Sequence, residues 1–370
     1  MQWLIVILIL PYFWLLLGIY RNLLKIKQFN SASYPALFVS VVVACRNEQK
    51  HLPSLLNDIS VQDYHPDLFE LIIIDDNSSD RTFNLPSEFK GIKNIKVIKN
   101  EGKGKKRAIR SGVNASAGDF IIVTDADCYM GKEWIRTIAS FFEDKNPELI
   151  IGQVMLTSKT GFLNRFQELE FLSLQGITAG TAIAGNPVMC NGANLAFTKR
   201  TYHKHSDNLH DELVSGDDIF LLHSIKKDPE NKIMWLESQK ATVTSEASEN
   251  LSSFLRQRAR WISKAGAYND RSTQMLAIVT FVTILCQIIL LIAGLFNPVF
   301  LLVLLAAFLL KSVPDFLILQ NSASRYGKRN LLKWFLPSQL IYPFYVISVQ
   351  LRSLFSSERD NFNSPSPKGI

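Results

Sequence analysis

The sequence predicts an α/β fold, a mostly parallel, Rossmann-like sheet flanked by apolar segments long enough to be transmembrane helices. Three observations carry this. Short β-branched runs alternate with helical stretches from residue 38 to about 125. Three of those runs end in a polar or acidic cluster. Apolar residues make up 47% of the 370, with the longest runs near the two ends.

Residues 38–44 (Phe-Val-Ser-Val-Val-Val-Ala) read as a buried strand, followed by a helix over 48–63. Residues 69–74 form the second strand and end in Asp75-Asp76-Asn77-Ser78-Ser79-Asp80. A third strand covers 95–98 and a helix covers 104–117. The strand at 119–124 then leads into Asp125-Ala126-Asp127. In open parallel sheets ligands bind beyond the carboxyl ends of the strands. The chain order therefore brings Cys45-Arg46-Asn47-Glu48, Asp75-Asp76 and Asp125/Asp127 towards one edge. Buried carboxylates are costly unless something positive pairs with them. A divalent metal carried on a phosphate ligand is such a partner, although Asp-x-Asp alone is equally an acidic turn.

A helix is expected over 162–184. Cys190-Asn191-Gly192-Ala193-Asn194 then reads as a loop where backbone approaches a ligand, or as a plain turn before a strand. Ser215-Gly216-Asp217-Asp218 precedes a helix, so either aspartate is a candidate N-cap. His203, His205 and His210 have polar surroundings and read as a solvated loop rather than a metal site. The four cysteines, Cys45, Cys128, Cys190 and Cys286, have neither metal-ligand nor disulfide-framework spacing.

Residues 3–20 carry no charge and have the length of a membrane span. Arg21, Lys25 and Lys27 follow this run, which argues against a signal peptide and places what comes next in the cytoplasm. Further apolar runs cover 275–295, 299–310 (with Lys311 and Asp315 in its extension) and 335–351, the last weakened by Pro337 and Pro343. Lys328, Arg329 and Lys333 mark another cytoplasmic loop. The net charge of +7 and mean hydropathy of +0.10 favour a membrane surface as the basic partner. There is no nucleic-acid motif with interleaved aromatics. In residues 251–270, Gln257, Arg260 and Trp261 share a helix face, on what also reads as a basic amphipathic interface helix. The expected divisions are a membrane helix (1–22), an α/β domain (36–247), an interface helix (248–271), a membrane region of two to three spans (273–355) and a disordered tail (356–370).

Taken together, residues 38–265 resemble the inverting family-2 glycosyltransferases of GT-A fold, especially the membrane-bound branch of cellulose, chitin and hyaluronan synthases. Seven stretches stand in family order, from Val42–Glu48 through Asp75–Asp80, Gly104-Lys105-Lys106-Arg107-Ala108, Asp125-x-Asp127, Asn191–Asn194 and Gly216-Asp217-Asp218 to Gln257-x-x-Arg260-Trp261. The resemblance implies Asp218 as catalytic base with Asp217 as neighbour. It implies donor contacts from Ala44, Arg46, Glu48, Asp76, Lys105, Asp125, Gln257 and Arg260. Mg²⁺ or Mn²⁺ would sit on Asp125 and Asp127, and Trp261, Asn191, Gly192 and Asn194 would meet the acceptor. The implied reaction moves a sugar from a nucleotide sugar, with UDP as the expected nucleotide, to a lipid, lipid-linked or polysaccharide acceptor. The implied location is the cytoplasmic (inner/cell) membrane, with the catalytic domain facing the cytoplasm. The chain has fewer spans than the long processive synthases, which favours transfer of one or a few sugars.

Two other classes compete. A sugar-nucleotide nucleotidyltransferase needs a Gly-rich basic loop after the first strand, where this chain has Cys45-Arg46-Asn47-Glu48. An inactive membrane scaffold would have no use for intact Asp125, Asp127, Asp218 and Arg260.

Overall fold

The computed structural model describes residues 4–213 and 215–355. The expected tail at 356–370 lies outside the described residues, as do the first three residues of the expected 1–22 helix. The chain divides into two compact units. One comprises Lys27–Thr157 and Met189–Ala247; the other comprises the chain up to Ile26, Ser158–Val188 and the chain from Ser248 on.

The first unit is built on ten strands: β1 (Val39–Cys45), β2 (Phe69–Asp75), β3 (Ile95–Lys99), β4 (Phe120–Asp125), β5 (Tyr129–Met130), β6 (Leu149–Gly152), β7 (Val154–Thr157), β8 (Leu195–Thr198), β9 (Ile233–Leu236) and β10 (Val243–Glu246). Seven of them form a sheet in the order β3-β2-β1-β4-β8-β6-β9, and β5-β10-β7 form a smaller one. β1 to β4 pair in parallel. β8 runs antiparallel between β4 and β6. β2 and β4 are buried along their whole length and β1 nearly so, which is why they read as continuous apolar runs rather than alternating ones. The register sets Ala44 opposite Asp125 and Cys45 opposite Asp75, so the acidic strand ends share one edge.

Two helices differ from expectation for local reasons. The helix over 48–63 is shorter, Leu52–Ser60, with Pro53 in its first turn. Glu48 stays in the turn after β1. The next helix is Lys105–Ala115, because Gly104 sits at φ 96°, outside helical geometry. Gly112 lets this helix lie close on the sheet: a Cβ there would meet Val42 Cγ1 at 2.5 Å and Ile74 Cδ1 at 2.6 Å.

The second unit is helical. Among the described residues, three of its helices are long and apolar enough to cross a membrane: Ile5–Leu23, Arg271–Gly294 and Val299–Arg325. The last continues from its apolar core at 299–310 through Lys311, Pro314 and Asp315 to Arg325. Its buried Lys311 and Asp315 pair at 2.6 Å, and Tyr12 Oη and Gln339 Nε2 donate to the same carboxylate. A C-terminal helix, Phe335–Phe355, continues through Pro343 but is not among the three long apolar ones.

The division differs from the expected 36–247 domain in two respects. Phe162–Ile183, a 22-residue helix, belongs with the terminal helices. Its small residues are the reason. A Cβ on Gly176 would meet Ile318 Cγ2 at 2.7 Å, and one on Gly180 would meet Ile19 Cγ2 at 2.6 Å, so these positions admit neighbouring helices. The α/β unit also begins earlier than residue 36, since Phe29 N–H donates to the Glu237 carbonyl at 2.7 Å.

The close approach at Gly112 predicts that Gly112→Val destabilises the α/β unit by about 1–3 kcal/mol, the usual cost of overpacking. Denaturant unfolding followed on that unit checks it, and unchanged stability would mean the helix can move off the sheet at no cost.

Candidate active site

The site forms where the ends of β1, β2 and β4 meet two loops. The turns after β1 and β2 are laced together. Asn47 and Asn77 both take left-handed backbone, at φ 57° and 59°. Asn47 N–H donates to Ser78 Oγ at 2.9 Å, Ser79 N–H donates to Asn47 Oδ1 at 2.8 Å, and Glu48 N–H donates to Thr82 Oγ1 at 2.8 Å. Asp76 then positions the next helix: both its oxygens accept from Gly104 N–H, at 2.9 and 3.0 Å, and Oδ1 also accepts from Asn100 at 2.7 Å. The carboxylate expected to meet the donor thus fixes the residue before Lys105.

From that helix start Lys105 reaches the end of β4 and donates to Asp125 Oδ1 at 2.5 Å. Burial on its own would lower Lys105, but the charges of Asp125, Asp217 and Asp218 outweigh it and keep the ammonium protonated. Asp127 is buried beside the pair. Burial, then the charges of Asp125 and Glu48, push its carboxyl well above the usual range. Glu48 is raised too, by burial, against the lowering effect of His51, whose Nδ1 lies 2.7 Å from Glu48 Oε2.

Two buried oxygens at this edge, Asp125 Oδ2 and Asp127 Oδ2, have no hydrogen-bond partner. Among the described residues no group of three or more His, Cys, Asp or Glu is arranged to hold a metal. The donor set therefore suits a divalent cation that takes one or two carboxylates and completes its shell with ligand phosphate oxygens.

The opposite side is the 191–194 loop. Thr124 Oγ1 on β4 donates to the Ala193 carbonyl at 2.8 Å. Asn191 Oδ1 accepts from Ala193 N–H at 2.9 Å and starts the turn. Gly192 N–H donates to Asp218 Oδ2 at 3.0 Å. A Cβ on Gly192 would lie 3.6 Å from Lys105 Nζ and 3.8 Å from Asp217 Oδ2, so this glycine borders the charged centre. Asn194 is different. It is buried, its amide donates to the Gln153 and Ala241 carbonyls at 2.7 and 2.8 Å, and its oxygen accepts from Trp134 Nε1 at 3.1 Å. These hydrogen bonds inside the fold let Asn194 shape the loop.

Asp217 and Asp218 open the helix Asp217–Lys226, and the N-cap is Gly216 in left-handed backbone. Neither aspartate is the cap; both sit in the first turn, where the helix dipole favours negative charge. Asp218 Oδ1 accepts from Ile219 N–H at 2.8 Å.

Other residues were missed from the sequence. Lys106 is buried and donates to the carbonyls of Leu209 and His210, both at 2.6 Å, while Arg110 pairs with Asp211 at 2.7 Å. Together they hold the segment leading into Gly216-Asp217-Asp218. A Lys-Lys-Arg run reads as solvated charge, so only the fold reveals that its second lysine points inwards. His205 is buried against Ser224 at 2.9 Å rather than solvated. Asp75, already placed at this edge by the sequence, contributes another buried oxygen without a hydrogen-bond partner, Oδ1.

Gln257, Arg260 and Trp261 belong to the helical unit, on the helix Leu251–Ile262. Between them, Arg258 was overlooked. It is buried, donates to Glu170 at 2.7 Å and to Gln257 Oε1 at 2.7 Å, and lies 4.1 Å from the Trp261 ring centre. Tyr345 Oη donates to the same Glu170 at 3.0 Å. Arg258 therefore holds Gln257 and covers one face of Trp261. Arg46 and Ala44 sit at the end of β1, both half-buried.

Residues 40–206 match the family described as "Glycosyl transferase family 2". Among curated proteins the chain is 28% identical, over 197 residues, to a poly-β-1,6-N-acetyl-D-glucosamine synthase of Staphylococcus epidermidis, covering 50% of this chain and 47% of that one. It is 24% identical over 203 residues to a dolichyl N-acetyl-α-D-glucosaminyl phosphate 3-β-D-2,3-diacetamido-2,3-dideoxy-β-D-glucuronosyltransferase of Methanococcus voltae, covering 51% and 62%. The chain spans from about a fifth to three fifths of the length of such relatives. Among solved structures it matches a mannosyltransferase of Pyrobaculum calidifontis in complex with GDP-Man and Mn²⁺, at a TM-score of 0.56 and 16% identity, over 97% of this chain and all of that one.

The raised carboxyl of Asp127 predicts a coupled pH and metal effect. A carboxyl raised on folding binds its proton more tightly in the native state, so its contribution is full below about pH 3.9, the unfolded value, and is lost as pH climbs through the raised folded value. Added Mn²⁺ takes up the ionised form. The thermal shift given by Mn²⁺ with nucleoside diphosphate is therefore expected to grow as pH rises in wild type and to vanish in Asp127→Asn. A shift independent of pH, or retained by the variant, would contradict the assignment.

Proposed function

Residues 40–206 are a family-2 glycosyltransferase domain, and from that premise we propose that the protein is a membrane-bound inverting glycosyltransferase. It moves a sugar from a nucleotide sugar, UDP being the expected nucleotide, to a lipid, lipid-linked or polysaccharide acceptor. The observation that carries the reading is the charged centre, in which Lys105, Asp125, Asp127, Asp217, Asp218 and Gly192 meet at the carboxyl ends of the parallel strands.

The chemistry follows from the residues. Lys105 brings positive charge to where the diphosphate leaves, and its pair with Asp125 holds it in place beforehand. Asp125 Oδ2 and Asp127 Oδ2 are available to a divalent cation, which when bound neutralises the leaving diphosphate. Asp218 takes the proton from the acceptor hydroxyl as that oxygen bonds to the anomeric carbon and the carbon–phosphate oxygen bond breaks on the opposite face. Its Oδ2 keeps a lone pair beyond the bond from Gly192 N–H, so it remains an acceptor. Arg260 and Gln257 keep the donor roles, and Trp261 the acceptor role, that the resemblance implies. The three long apolar helices support membrane insertion, and Arg21, Lys25, Lys328 and Arg329 support a cytoplasmic catalytic unit at the inner membrane.

Three experiments test this. Purified protein offered a panel of nucleotide sugars with membrane lipid extract is expected to release nucleoside diphosphate and form a glycosylated product; nucleotidyl transfer to a sugar phosphate instead would favour the competing class. Asp218→Asn should keep donor affinity and lose roughly 10²–10⁴ in turnover, the usual worth of a general base, because Asn still accepts from Gly192 N–H but cannot take a proton. If Asp217→Asn is the dead variant and Asp218→Asn is not, the base is Asp217. Protease outside intact cells should spare residues 30–270; cleavage there would overturn the orientation.

A further inference from the structure

The geometry points to a lipid site in the helical unit, which holds one anionic membrane phospholipid by a hydrocarbon chain and its phosphate. This rests on the membrane part of the proposal above.

A cavity of about 290 Å³ opens between helices that include two of the long apolar ones. Trp14, Gly18 and Met275 line its apolar part, and Asn22, Asn186 and Ser272 its polar end. The space is bounded by a tight helix crossing. Gly180 lies so close to the helix Leu10–Leu23 that a Cβ would meet Ile19 Cγ2 at 2.6 Å, yet one residue earlier, at Gly18, a Cβ would meet nothing within 4 Å. The volume takes roughly ten methylene-sized groups at about 30 Å³ each, a substantial part of an acyl chain. Trp14 is itself 60% exposed and lies midway along Ile5–Leu23, so the cavity runs from the helix end at Asn22 towards the middle of the span.

The polar end carries the charge that selects a headgroup. Asn186 donates to Ser272 Oγ at 2.8 Å, and Lys25 Nζ donates to Asn22 Oδ1 at 3.0 Å. Arg21 and Arg271, both exposed, adjoin Asn22 and Ser272 in the chain. The opposing carboxylate is Asp270, whose Oδ1 already accepts from Thr273 N–H at 2.8 Å. Three cations against one capped carboxylate favour a phosphate over a neutral headgroup. None of the residues lining the cavity carries a titratable acid or base. A lipid here is held without being converted, which sets it apart from an acceptor.

The test is native mass spectrometry of the full chain in neutral detergent with equal phosphatidylglycerol and phosphatidylcholine of matched chains. Wild type should retain one phosphatidylglycerol, preferred at least about tenfold, as two or three cations at roughly 1 kcal/mol each imply. Gly18→Leu fills open space and should lose the lipid while keeping its helical content and donor affinity. Arg21→Gln with Arg271→Gln should keep chain binding and lose the preference. Equal retention of the two lipids by wild type overturns the proposal, as does undiminished retention by folded Gly18→Leu; if that variant does not fold, wild-type selectivity decides. Co-purification of a prenyl-chain phosphate in place of phospholipid overturns the choice of occupant. Release of the protein from membranes by alkaline carbonate defeats the membrane reading itself, whereas an integral protein without bound phosphatidylglycerol defeats this inference alone.

Discussion

The ion pair between Lys105 and Asp125 is the interaction on which the site depends. Asp125, Asp127, Asp217, Asp218 and Glu48 bring more negative charge to one sheet edge than burial tolerates without compensation. Lys105 answers part of it. What remains shows in the Asp127 carboxyl, which burial and the charges of Asp125 and Glu48 push well above its usual range, and in carboxylate oxygens without partners. A cation carried by a diphosphate would resolve that imbalance, so the apparent electrostatic defect and the binding chemistry are one feature.

Much of the surrounding structure serves to place that lysine and the two aspartates across from it. Asp76 fixes Gly104, Gly104 starts the helix, and the helix carries Lys105 on one side and Lys106 on another. Lys106 and Arg110 in turn hold the approach to Gly216-Asp217-Asp218. The antiparallel β8 continues from the loop whose Gly192 N–H binds Asp218. A single short helix thereby carries both the lysine paired with Asp125 and the residues that hold the 209–211 segment.

The sheet and its acidic ends were legible because β1, β2 and β4 are buried on both faces, and a continuous β-branched run has few other readings. The charged cluster was legible because parallel order alone brings strand ends to one edge. Helix boundaries were less so: Pro53 and Gly104 move them by a few residues through backbone geometry that apolar periodicity does not report. Lys106 and Arg258 escaped because a basic residue is expected outside. Each is buried only because the fold supplies carbonyls to Lys106 and Glu170 to Arg258. The partners of Asn194, two backbone carbonyls and Trp134, were likewise not legible, since they come from distant parts of the chain. The membership of Phe162–Ile183 in the helical unit rests on Gly176 and Gly180, whose close contacts come from distant parts of the chain.

The central claim is that this edge binds a nucleoside diphosphate through a shared divalent cation and Lys105. Calorimetric titration of UDP into the purified chain, with Mn²⁺ and with chelator, tests it most directly. The account predicts binding with Mn²⁺ that weakens at least about tenfold in chelator and again in Lys105→Met, each tenfold step being about 1.4 kcal/mol. UDP binding that is indifferent to both the cation and Lys105 would contradict it.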